Sequence, residues 1–142
     1  MLHSTPGSQQ LRQLQTRRFD GVSERNLLSA SAGVLQDLGF NIDGSSSRLG
    51  LITASKVRKT WEDTEWWKVF LGNPTDSIRL SLVTRPASGT DPNVIFVRVT
   101  IQLTTRDNNN QQVWSGALED PAVYQGFFDK LSQSLFLEAH QI

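Results

Sequence analysis

The sequence predicts a two-layer α+β domain, an antiparallel sheet of about five or six strands with two main helices packed on one face. Three observations carry that reading. In residues 94–105, Ile95, Val97, Val99, Ile101 and Leu103 alternate with Arg98, Thr100, Gln102 and Thr104, the period of a strand with one buried and one wetter face. Between Ser23 and Gly39 the apolar residues Leu27, Leu28, Val34, Leu35 and Leu38 recur at three- and four-residue steps, the period of an amphipathic helix. After Asp120-Pro121, Tyr124, Phe127, Phe128, Leu131 and Leu135 form a second apolar stripe, wide enough to cover a sheet.

The elements follow in chain order. Residues 1–13 are rich in Ser, Thr, Pro, Gly and Gln, and read as a flexible tail or tether preceding a single domain over 14–142. Leu14 to Phe19 is a short first strand. The first helix takes its N-cap from Ser23 or Asp20, places Glu24 near the positive end of its dipole, and fills one slot of its apolar face with Ser31. Gly39 ends it, with Phe40 folding back on the last turn. Phe40 to Ile42 is a brief strand, reversed by the turn residues Asp43-Gly44-Ser45-Ser46-Ser47, and Leu49 to Ser55 returns. Small Gly50 and Ala54 predict close packing in that return strand.

Residues 56–74 read as an irregular or helical insertion. Strands at Ile78 to Arg85 and Val94 to Thr105 follow, then a tight connection at Asp107-Asn108-Asn109-Asn110 into a strand at Val113 to Leu118. Asp120 caps the final helix and Pro121 occupies its first position.

Composition narrows the function classes. The 142 residues hold 14 Lys and Arg against 14 Asp and Glu, a balance that argues against a general nucleic-acid binder. The absence of Cys removes thiol nucleophiles, disulfides and zinc–thiolate sites. There is no nucleophile elbow, zincin motif, Walker loop or dinucleotide fingerprint. The two His, His3 and His140, both lie near the termini, so a His-based triad or metal site is poorly supported. Glu62, Asp63 and Glu65 cluster, and a solvated acidic face opposite Lys56, Arg58 and Lys59 explains them better than acid–base catalysis or cation binding. Asp107-x-Asn109-x-Gln111 lacks the central Gly and terminal Glu of a calcium loop, and a turn accounts for it. The expectation is therefore no catalytic residue, no cofactor and no metal.

Two sets of residues suit partner binding. Trp61, Trp66, Trp67 and Phe70 bring large aromatic area to the insertion, and adjacent Trp66 and Trp67 do not easily both face one core; burial over the open sheet face is the favoured reading and an exposed contact patch the alternative. Arg79, Arg85 and Arg98 fall on the wetter faces of neighbouring strands and could form a basic stripe for an anionic partner, although alternating surface charge is the ordinary explanation.

Several stretches also resemble a known group. They are Leu14-Gln15-Thr16-Arg17-Arg18-Phe19-Asp20, Ala32-Gly33-Val34-Leu35-Gln36-Asp37-Leu38-Gly39-Phe40, Leu49-Gly50-Leu51-Ile52-Thr53-Ala54-Ser55-Lys56, Leu82-Val83-Thr84-Arg85 and the closing Tyr124-Gln125-x-Phe127-Phe128-Asp129-Lys130-Leu131. Together they resemble small Gram-negative outer-membrane lipoproteins whose soluble domains are similar to the helix-grip modules of BamC, a lipoprotein of the outer-membrane assembly machinery. The resemblance implies a helix-grip-like sheet, an export signal and lipidated Cys upstream of Met1, and an outer-membrane, periplasm-facing address. It also implies a non-enzymatic adaptor that binds another envelope protein, touching the membrane only through its N-terminal lipid anchor. A native start at Met1 would instead mean a cytoplasmic address. The alternative function is a small-ligand or lipid carrier with a cavity between helices and sheet.

Overall fold

A computed structural model of the chain describes residues 8–57, 77–87, 93–106 and 111–139. Among these described residues, three helices and six strands follow in the order α1 (Ser8–Leu14), β1 (Thr16–Asp20), α2 (Glu24–Asp37), β2 (Asn41–Ser46), β3 (Leu51–Val57), β4 (Ser77–Pro86), β5 (Val94–Arg106), β6 (Gln112–Ala117) and α3 (Pro121–Ala139). The strands form one antiparallel sheet in the order β1-β5-β4-β3-β2, with β6 also pairing β5. Long β5 serves two short partners along one edge: β1 pairs with Val94 to Arg98, and β6 with Gln102 to Arg106. The fold is the expected two-layer α+β arrangement. No helix among the described residues is long and apolar enough to cross a membrane.

The core lies between one sheet face and helices α2 and α3. Ile78, Leu80 and Leu82 of β4 and Ile95, Val97, Val99 and Ile101 of β5 meet Leu27 and Leu35 of α2 and Tyr124, Phe127, Phe128 and Leu131 of α3, all essentially inaccessible to water. The even positions of β4 and odd positions of β5 therefore face inward. Their neighbours face outward, with Arg79, Val83, Arg85, Arg98 and Gln102 exposed and Ser81, Phe96 and Thr100 half-buried.

The helix ends explain why α2 sits where it does. The Ser23 hydroxyl accepts from the Asn26 amide at 3.1 Å, an N-cap, with Glu24 in the first turn. At the other end the Gly39 amide donates to the Gln36 carbonyl and the Phe40 amide to the Leu35 carbonyl, a Schellman motif closed by Gly39 at φ +90°. Ser31 is buried and donates to the Leu27 carbonyl at 2.7 Å, so its hydroxyl is satisfied within the helix. Asp120 caps α3 through the Ala122 amide at 3.0 Å.

Three expectations need correction. Residues 8–13 are not tail: they belong to α1, whose Leu11 and Leu14 are half-buried and whose end leads into buried Gln15. Ordering there comes from tertiary contacts that a local composition reading misses, including Gln15 donating to the Tyr124 hydroxyl at 3.3 Å. The reversal expected at Asp43 to Ser47 falls at Ser47 to Gly50, because Gly44 sits at a β-bulge and the strand continues through it. Gly50 closes that turn at φ +63°, where a Cβ would lie 2.8 Å from both the Thr84 carbonyl oxygen and Glu24 Oε2. Finally, Lys56 and Val57 are not insertion but the end of β3, and Lys56 is buried, its Nζ donating to the Leu38 carbonyl at 2.9 Å. The rest of the expected insertion lies outside the described residues.

Candidate functional site

The sheet's outer face carries the site. Because successive β residues alternate sides, the register places Thr16, Arg98 and Val83 in one transverse row and Arg18, Phe96 and Arg85 in the next. Of these, Thr16, Val83, Arg85, Phe96 and Arg98 line an open groove of about 810 Å³, bordered by Gln9, Arg12 and Gln13 of helix α1. Val83 is 39% exposed on its floor beside half-buried Phe96. An aliphatic and an aromatic side chain thus lie among three guanidinium groups, those of Arg12, Arg85 and Arg98.

Among the described residues, no carboxylate pairs with these three charges. Among the described residues the ion pairs are Arg17 with Asp129 at 3.3 Å and Arg18 with Asp20 at 2.7 Å. Arg17 serves the opposite, core side of β1, where its guanidinium also lies 5.0 Å from the centroid of the Phe128 ring. Arg12, Arg85 and Arg98 have no carboxylate within 4 Å among the described residues. Arg85 and Arg98 sit diagonally on adjacent strands, a separation of about 7–8 Å between backbones, where like charges repel. Among the described residues, the groove lining is positively charged around an apolar floor.

The expected basic stripe therefore divides. Arg85 and Arg98 come together in the groove, whereas Arg79 lies six residues along β4, about 20 Å away, in a row with Gln102 and Ser55. The neutral row of Thr53, Ser81 and Thr100 lies between. Trp61, Trp66, Trp67 and Phe70 lie outside the described residues, as do Glu62, Asp63 and Glu65, His3 and His140.

Arg12, Thr16, Val83 and Phe96 were not anticipated. Phe96 had a legible signal, since it is the aromatic on the face of β5 that otherwise carries Arg98, Thr100 and Gln102. Arg12 had none, because its stretch has the composition of a tail.

On the helix side, Leu27, Leu35, Tyr124, Phe127, Phe128 and Leu131 are buried in the core against the sheet. Buried polar groups there serve structure. Thr84 Oγ1 lies 2.7 Å from Glu24 Oε2 and 3.3 Å from the Gly50 carbonyl, joining β4 to α2 and to the β2–β3 turn. The Tyr124 hydroxyl donates to the Leu118 carbonyl at 2.6 Å, and burial raises its pKa above the ordinary 10.0. Among the described residues, no group of three or more His, Asp or Glu could hold a metal ion. The groove lining offers hydrogen-bond donors, positive charge and apolar contact. No protein-family model matches the chain, and no curated protein matches it.

Proposed function

We propose that this domain is a non-enzymatic adaptor that docks another protein of the cell envelope through the outer face of its sheet. In the full-length protein, a lipid anchor holds it at the periplasmic side of the outer membrane. The observation that carries the docking role is the groove in which Arg12, Arg85 and Arg98 surround Val83 and Phe96. Protein interfaces favour this combination: Arg and aromatic residues are enriched there, Arg supplies several fixed donors, and an apolar floor gains from being covered. The opposite face of β4 and β5 is buried in the core, so the groove floor is backed by packed side chains. The address and the anchor rest on the sequence resemblance.

The test uses the full-length gene product in its native cell, with a photo-crosslinking residue replacing Val83 or, as control, exposed Gln125 on α3. Metabolic fatty-acid labelling is followed in the same cells. The proposal expects labelled protein in the outer-membrane fraction and discrete protein adducts from position 83 that are missing from position 125. Unlabelled cytoplasmic protein would remove the envelope assignment, and absence of adducts at position 83 would remove the docking role.

A further inference from the structure

The groove's charge pattern narrows what can occupy it. Its three cations are confined to two rows of the sheet and one turn of α1, and the next row, Thr53, Ser81 and Thr100, is neutral. A nucleic-acid strand, with a phosphate on every nucleotide, needs a basic track that continues along the backbone. A bilayer presents a broad surface, better matched by a flat or convex patch than by a groove walled by α1 and floored by β4 and β5. A short segment carrying a few charges and an apolar side chain between them fits both the extent and the chemistry.

The spacing is more specific. In an extended peptide, side chains at alternate positions share one face and stand about 7 Å apart. Arg85 and Arg98, diagonal across β4 and β5, are separated by about the same distance. Each guanidinium can hold a carboxylate through two parallel N–H···O bonds, which fixes direction as well as charge. Phe96 is cross-strand from Arg85 and Val83 is cross-strand from Arg98, so apolar contact lies beside each cation. Arg12 supplies a third positive charge from the border.

Resting on the docking role proposed above, we infer that the occupant is an acidic, extended peptide segment of a partner protein. It places Asp or Glu at alternate positions on Arg85 and Arg98 and an adjoining apolar side chain against Phe96 and Val83. Binding relieves the repulsion among the three arginines, which no carboxylate among the described residues does in the free domain.

The probe is a fluorescent heptapeptide with Glu at alternate positions and a central Phe, titrated with the full chain by anisotropy. The inference expects saturable binding that weakens as salt is raised. Arg85→Gln or Arg98→Gln should weaken it about tenfold, the loss of one paired charge. Arg85→Lys should recover only part of that loss, because an ammonium keeps the charge but not the two-point geometry. Arg79→Gln, beyond the neutral row of Thr53, Ser81 and Thr100, should leave affinity unchanged.

Failure of the peptide to bind, equal weakening by Arg79→Gln, or full rescue by Arg85→Lys would each overturn the inference. So would tighter binding to vesicles of anionic phospholipid or to single-stranded oligonucleotide than to the peptide. Protein adducts from position 83 in cells alongside a negative peptide result would leave the docking role standing and remove only the acidic-peptide occupant.

Discussion

At the scale of single residues, the least expected assignment is Lys56. Sequence pattern placed it at the head of a surface charge cluster, yet its stem is buried and its Nζ reaches the Leu38 carbonyl at the C-terminal end of α2. A cation there meets the negative end of the helix dipole and a carbonyl that has no partner within the helix. Its terminal amine also lies 3.1 Å from where a Cβ on Gly39 would stand, so the C-terminal turn and the lysine fit as a unit. Lys56→Met keeps the apolar stem and removes the donor. It should lower unfolding free energy by about 1–3 kcal/mol, measured by urea denaturation, since a largely buried acceptor loses its charged partner. A change below about 0.5 kcal/mol, the scale of an ordinary surface substitution, would mean that the bond contributes nothing. The position is illegible in the sequence because the pattern ends strand β3 at Ser55, two residues short of Val57, and alternation alone does not distinguish a buried lysine from an exposed one.

At the scale of elements, the parts with strong periodicity were legible and the parts defined by partners were not. Both main helices, their caps and the inward positions of β4 and β5 follow from apolar spacing and capping chemistry. Helix α1 did not, because seven residues with two half-buried leucines gain their order from β1 and α3 beyond them. The β2–β3 turn was misplaced because Gly44 and the serines look like turn residues, whereas the bulge absorbs Gly44 and the turn waits for Gly50. Within α2, Gly33 is an interior helical residue, and a Cβ there would meet nothing within 4 Å. Gly33→Ala should therefore stabilise the domain by up to about 1 kcal/mol, seen as a higher urea midpoint with unchanged slope. A loss of stability would show that neighbouring side chains need the space.

At the scale of the whole molecule, Tyr124 joins parts distant in sequence: α3 through its backbone, the end of β6 through the Leu118 carbonyl, and the entry to β1 through Gln15. Burial favours its neutral form, so its folded pKa lies above the unfolded value of 10.0. The unfolded chain therefore releases this proton first as pH rises, and stability falls once pH passes about 10 and levels off above the folded pKa. It is the only tyrosine in the sequence, so tyrosinate absorbance reports it alone. Titration of the folded protein should show an alkaline-shifted midpoint, and Tyr124→Phe should flatten the corresponding part of the stability profile. A midpoint at or below the ordinary value would contradict the buried, bonded hydroxyl.

The same two-layer plan decides where function resides. One sheet face and both main helices are committed to the core, leaving the outer face to present Arg85, Arg98, Val83 and Phe96 beside α1. Half of that site was visible in the sequence as arginines on the wet positions of two strands. The rest depended on register, which brings Phe96 opposite Arg85, and on α1, which no local pattern announced. The most direct test combines the photo-crosslinker at position 83 with charge reversal of its neighbours, Arg85→Glu and Arg98→Glu, in the full-length protein in its own cell. The adducts should disappear while the melting temperature changes little, because both arginines are exposed and carry no ion pair among the described residues. Adducts that persist unchanged in the reversed variant would contradict docking through the groove.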